Sequence, residues 1–206
     1  MDAKFDVKKD FKEFYAPKNK AFELLTIPRM TYLAIDGEGS PESTNFAGAT
    51  QAIYSMAYPL KFLSKKELGR DYAVPPLEGL WWADDPAVYV SGQRDKWKWT
   101  LLSHVPEWIT PDQVEGIKEK ALVKGITAAN KIELRSIEEG LSFQMLFIGP
   151  YADEAPVLAE LHDHIMPSGG YTFNGKHHEI YLSDPRRTAP EKLKTVLRQP
   201  VRFSMT

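Results

Sequence analysis

The residues with most chemical content lie in one short run, His177-His178-Glu179-Ile180-Tyr181-Leu182. Read as a strand, it puts His177, Glu179 and Tyr181 on one face and His178, Ile180 and Leu182 on the other. A carboxylate in mid-strand is costly to bury unless it is paired or used. Beside aromatic rings, such a group has the chemistry of a general base acting on water. The five tryptophans all fall between positions 81 and 108. Trp81 and Trp82 are adjacent, so a strand must send them to opposite faces. Trp97 and Trp99 share one face of a second strand and can extend an aromatic wall. Tyr54, on a long helix, can reach that wall.

Other chemistries find little support. There is no cysteine, so thiol catalysis, disulfides and Cys-based zinc sites are excluded. His162 and His164, two apart on a helix, point in different directions, and His177 and His178 face opposite sides of a strand. Neither pair makes a ligand set, and no metal is expected. The chain contains no G-x-S-x-G, P-loop or dinucleotide glycine fingerprint. Gly37 and Gly39 form only an isolated Gly-x-Gly. Net charge is −2, so no basic field is available for nucleic acid or an anionic membrane. The charged N-terminus does not read as a signal peptide, and no run approaches the ~20 apolar residues that span a bilayer. A cytoplasmic protein is expected.

The elements that must position these residues follow from periodicity and turn chemistry. An arm at 6–15 ends at Pro17. Strands are predicted over 21–27 and 30–36. A helix follows over 43–66, with Pro59 expected to kink or end its first part. Strands are predicted over 77–83, stopped by Asp84-Asp85-Pro86, and over 96–105. Thr110-Pro111-Asp112-Gln113 opens a helix with a capping box, closed near Gly125. Strands over 131–138 and 141–148, a helix over 153–165 and a strand over 177–182 come next. A helical turn over 190–197 and a last strand over 201–205 complete the chain.

Two stretches share one order. Strand 30–36, helix 43–66, strand 77–83, an Asp-Pro stop and strand 96–105 match strand 141–148, helix 153–165, strand 177–182, Asp184-Pro185 and strand 201–205. A duplicated βαββ unit is the expected architecture, an α+β fold of antiparallel sheets around a pseudo-two-fold axis. One domain of 1–206 is expected. It comprises an arm at 1–20, a first unit at about 21–108, a connecting helix and strand at about 109–139, and a second unit at about 140–206. Ligands favour the junction of such units. Aligning the Asp-Pro stops sets Leu80 opposite Glu179 and Trp82 opposite Tyr181. On this alignment Trp82 shares the face of Glu179.

At these residues the chain resembles the GyrI-like small-molecule-binding family, in the stand-alone subgroup of cyclopropanoid cyclopropyl hydrolases. The resemblance is carried by Asp10-Phe11-Lys12-Glu13, Tyr15-Ala16-Pro17, and the run Pro76-Leu77-Glu78-Gly79-Leu80-Trp81-Trp82-Ala83-Asp84. It continues in Trp97-Lys98-Trp99, Ile148-Gly149-Pro150-Tyr151, and the run from Lys176 to Pro185. It implies an effector-type fold with Glu179 as the acid that draws ligands, and an aromatic cage matched by Tyr54, Trp82, Trp99 and Tyr181. The implied activity is water addition to the cyclopropane ring of planar DNA-alkylating xenobiotics, without a cofactor. Glu179, Tyr54 and Tyr181 are then the catalytic candidates. Trp81, Trp82, Trp97, Trp99, Leu80, Phe143 and His177 are the ligand-binding candidates. The alternative is sequestration of aromatic or cationic drugs in the same pocket. Related regulators carry a helix-turn-helix before this module. About 20 residues precede the first strand here, too few for one, so planar aromatic small molecules rather than DNA are the expected partners.

Overall fold

The computed structural model describes residues 4–85 and 92–204. Pro86 of the first Asp-Pro stop and Met205 of the last predicted strand lie outside them. The arm forms two short helical turns, α1 (Val7–Asp10) and α2 (Lys12–Tyr15), with the Asp6 side chain capping the first. Strands β1 (Glu23–Ile27) and β2 (Met30–Glu38) lead into α3 (Thr44–Glu67), whose N-cap is Ser43. Pro59 lies inside α3 and does not end its first part. The buried face of α3 (Ala49, Ala52, Ile53, Met56, Leu60) is apolar on both sides of the proline and anchors it to the sheet.

Strands β3 (Glu78–Trp82) and β4 (Lys98–His104) complete the first half. Helix α4 (Pro111–Val123) has the capping box read from Thr110 and Gln113. Strands β5 (Glu133–Ile137) and β6 (Gly140–Ile148) precede α5 (Glu154–Glu160). A π-helical turn (Leu161–Ile165) and one further turn, α6 (Met166–Ser168), extend it. Strands β7 (Tyr171–Phe173), β8 (His177–Tyr181) and β9 (Lys194–Phe203) finish the chain.

The strands form one sheet in the order β1-β6-β9-β8-β3-β4-β2-β5, with β7 on the far end of β9. Every pairing is antiparallel. The order reads alike from both ends, with β6, β9, β8 and β1 taking the places of β2, β4, β3 and β5. This is the duplication. Its edge strands are exchanged: β1 precedes β2 but pairs with β6, and β5 precedes β6 but pairs with β2. The two halves are therefore interlocked rather than merely abutted.

The predicted helical turn over 190–197 is a correction. Only Pro190–Lys192 forms a turn, and β9 runs for ten residues from Lys194. It lies between β6 and β8 and is buried from Thr195 to Val201, so it lacks the alternation that marks a half-exposed strand. Pairing rows show how the faces are used. On one face, Ile35, Leu101, Gly79, Glu179, Leu197 and Met145 lie side by side across the sheet. Helix α3, backed by α4, covers the first half of this face, and α5 covers the second. On the other face, α1 and α2 pack Val7, Phe14 and Tyr15 against Tyr32, Ala34, Leu80, Leu102, Ile180 and Val196.

Candidate functional site

The two halves meet at the seam between β3 and β8. Gly79 pairs with Glu179 and Trp81 with His177. In the helix-side row described above, Glu179 is the one acid, flanked by Gly79 and Leu197. Its side chain is 15% exposed. The Tyr181 hydroxyl donates to Glu179 Oε2 at 2.8 Å, and the Trp81 indole N–H donates to the same hydroxyl at 2.9 Å. An indole N–H can only donate, so Tyr181 must accept from Trp81, which leaves its one proton for Glu179. Burial, then the neighbouring Glu179 charge, holds the Tyr181 phenol well above its usual pKa. His177 Nε2 lies 3.4 Å from the other oxygen, Glu179 Oε1.

Aromatic rings surround this chain of donors. Phe46 of α3 stacks on Trp81 at 5.8 Å, and Trp97 meets Trp81 edge-on at 6.0 Å. Tyr151 meets Tyr181 edge-on at 5.8 Å from the α5 side. Tyr54 of α3 is half-buried beside Tyr58, with its hydroxyl toward the backbone of Leu77. The Leu77 carbonyl in turn accepts from the Tyr181 amide at 3.0 Å. Burial, Tyr58 and Asp184 raise the Tyr54 pKa.

Of the residues read from the sequence, the structure brings Glu179, Tyr181, His177, Trp81 and Trp97 together, with Tyr54 near Leu77. It separates four others. Leu80 and Trp82 are on the opposite face from Glu179, because β3 residues 79 and 81, not 80 and 82, pair with β8 residues 179 and 177. Leu80 packs under the arm, and Lys176 lies over the Trp82 ring at 3.1 Å. Aligning the Asp-Pro stops shifts the comparison by an odd number of residues, and an odd shift exchanges the faces of a strand. Trp99 is on the right face but fully buried, with Phe46 against its ring and its N–H on the Gly39 carbonyl. Phe143 is packed with Leu161, Met166 and Tyr171. Trp99 and Phe143 are therefore core residues beneath the helices.

Sequence reading missed Glu154, the first residue of α5. It is 5% exposed, and its Oε1 has no hydrogen-bond partner. Burial, then the charge of Glu179, pushes its pKa up to about 9. Thr195, which pairs with Tyr181, faces it. An acid in the first turn of a helix ordinarily complements the helix dipole, so its position carried no signal. Nor was there a signal for His162 on the π turn. Its pKa is lowered to about 4 by burial and by His177, and its ring meets Phe173. Among the described residues no group of His, Asp and Glu is arranged to hold a metal ion.

The reverse side of the seam holds a buried ionic network. His178 lies between Glu139 (Nδ1 to Oε1, 2.9 Å) and Glu78 (Nε2 to Oε2, 3.0 Å). Both ring nitrogens face carboxylates, so both must donate and the ring is an imidazolium. Burial alone would lower its pKa; the two carboxylates overcome this and raise it to about 9. Burial works against ionised Glu139 as well, but His178 and Arg198 lower its pKa to about 2. Arg198 also donates to Gln144 and to the Phe14 carbonyl, and Tyr15 donates to Glu78 at 2.9 Å. The network thus ties the arm to the back of β8, whose front carries Glu179.

An antiparallel sheet of duplicated halves, with the long helices on one face, the short helical arm on the other and an acid among aromatic rings at its seam, defines a small-molecule-binding domain. The chain belongs to the GyrI-like family: the sequence profile of the GyrI-like small molecule binding domain matches residues 20–202. It is similar to an uncharacterised conserved protein from Listeria innocua, at 39% identity and a TM-score of 0.88, over 97% of this chain and 100% of that one. It is also similar to a crystal structure described as a hydrolase from Listeria innocua, at 39% identity and a TM-score of 0.81, with the same coverage. The EcmrR C-terminal domain shares the fold at 10% identity and a TM-score of 0.56, over 89% of this chain and 98% of that domain. No match was found among curated protein sequences. Among the described residues no helix is long and apolar enough to cross a membrane.

Proposed function

We propose that the seam is the active site of a cofactor-independent hydrolase that opens the cyclopropane ring of planar, aromatic alkylating compounds by adding water. The observation that carries this reading is Glu179, held by Tyr181 and Trp81 and set among aromatic rings. The similarity to a Listeria innocua hydrolase supports it. The planar substrate lies between Trp81 and Trp97 on one side and Tyr151 on the other. Glu179 takes a proton from one water, and the water oxygen bonds to the ring carbon. The strained carbon–carbon bond breaks, and its electron pair moves through the conjugated system to the carbonyl oxygen. That oxygen takes a proton. Tyr181 has committed its proton to Glu179, so of the two phenols read from the sequence Tyr54 is the one left for this role. Ring strain and conjugation supply the remaining drive, and destruction of the alkylator is the outcome.

The test is incubation of the protein with a cyclopropane alkylator, followed by mass spectrometry. A product heavier by one water, formed over many turnovers, is expected. Recovery of the compound unchanged but bound to protein would replace this reading with sequestration. The two carboxyl groups at the seam make that second reading chemically reasonable for cations.

A further inference from the structure

Glu154 is the buried group that the hydrolytic scheme leaves unused. Among the described residues, none of the groups facing it is a lysine or an arginine. The groups facing it are Glu179 and Tyr181 of β8, Thr195 of β9 and Tyr151 of the preceding turn. His177 stands on the far side of Glu179, next to His162 of the π turn. From the α3 side come Tyr54 and, near it, Asp184, whose charge is engaged by Arg186 at 2.9 Å. A buried carboxylate with a bare oxygen beside a second carboxyl group is too costly to keep charged, so Glu154 holds its proton when no ligand is bound.

We propose that Glu154 sets the charge of the seam: it keeps its proton when no ligand is bound or the ligand is a neutral ring system, and releases it to solvent when a cationic aromatic ligand binds. The seam then carries one more negative charge for cations than for neutral ligands, so one aromatic frame serves both. The displaced proton leaves as the cation arrives, which conserves charge in the site. The same coupling makes cation affinity depend on pH while neutral-ligand affinity does not. The inference rests on the seam being the ligand site, as in the proposed function, but not on turnover.

The probe is N-methylacridinium, a planar monocation with no titratable group. Calorimetry at pH 7, in two buffers of different ionisation heat, measures protons released per cation bound. About one is expected for the wild type, and none for Glu154→Gln. Wild-type affinity is expected to rise by up to about tenfold per pH unit below pH 9, the slope of one released proton, and that slope is expected to vanish in the variant. Should the variant not fold, infrared spectroscopy of the wild type gives the same answer. The carbonyl stretch of a protonated carboxyl should disappear on adding the cation. Cation binding without proton release, release that persists in Glu154→Gln, or no uptake of the cation would each overturn the proposal. Failure to open a cyclopropane would leave these readouts untouched, so the two ideas fail separately.

Discussion

Trp81 and Tyr181 come from different halves of the duplicated sheet, and the indole N–H of one donates to the hydroxyl of the other at 2.9 Å. The pair fixes the direction of the Tyr181 proton toward Glu179. Tyr181→Phe removes one hydrogen bond to a carboxylate and is expected to lower turnover by ~10–100-fold. Trp81→Phe keeps the Tyr181–Glu179 bond, so a loss of about tenfold or less is expected. Steady-state kinetics on a cyclopropane substrate checks the order; a Trp81→Phe loss exceeding that of Tyr181→Phe would contradict the directed chain.

Glu179→Gln keeps the shape of the side chain and removes the base. A fall in turnover of ~10²–10⁴ is expected, with affinity for a neutral planar ligand little changed. Tryptophan fluorescence titration measures the affinity, and product analysis measures the rate. Turnover that survives the substitution would remove Glu179 from the mechanism.

Gly79 faces Glu179 across the seam, and its missing side chain leaves room for the donor chain. A Cβ there would lie 2.8 Å from Trp81 Nε1 and 3.0 Å from Tyr181 Oη. Both neighbours are rings held by packing, so they cannot give way cheaply. Gly79→Ala is expected to weaken planar-ligand binding at least tenfold while the chain still folds. Binding assays alongside circular dichroism distinguish this from unfolding.

The His178 network makes stability depend on pH. His178 has a raised pKa, so its contribution is complete below 6.5 and is lost as pH rises through about 9. Glu139 has a lowered pKa, so its contribution is complete above 4.5 and is lost as pH falls toward about 2. The two overlap fully between 4.5 and 6.5. His178→Gln leaves buried Glu78 without its cation and Glu139 with Arg198 alone, and is expected to cost about 3–5 kcal/mol. Urea unfolding across pH 5 to 10 should show the alkaline decline in the wild type and a flatter profile in the variant.

His104 behaves in the opposite sense. It is enclosed by the rings of Phe5, Phe11, Tyr15 and Tyr32, its Nδ1 has no hydrogen-bond partner, and burial lowers its pKa to about 4. A lowered histidine contributes stability above 6.5 and loses it as pH falls through about 4. His104→Phe is expected to lose less stability than the wild type between pH 7 and pH 5. His162, lowered for a similar reason, keeps its share. Equal losses in the two proteins would show that His104 is not a source of acid sensitivity.

Much of the fold was legible because it is local. The capping box at Thr110, the apolar stripe of α3 and the alternation of β8 are each contained in one segment. Alternation alone grouped His177, Glu179 and Tyr181, and grouped His178 with Ile180. The order of elements disclosed the duplication. What failed was non-local. β9 is buried on both faces, so its first residues lack the alternation of a strand and read as part of a helical turn over 190–197. The exchange of β1 and β5 has no sequence mark, because either half offers the same edge.

The chain by itself determined that Glu179 would share a face with His177 and Tyr181, since period two is a property of any extended backbone. Only the tertiary structure decided which tryptophan would join them. Register across the β3–β8 seam arises from pairing between segments about a hundred residues apart, and a shift of one residue exchanges Trp81 for Trp82. The same packing placed Glu154 beside Glu179. No spacing in the sequence records that approach, because it depends on how α5 lies across the sheet.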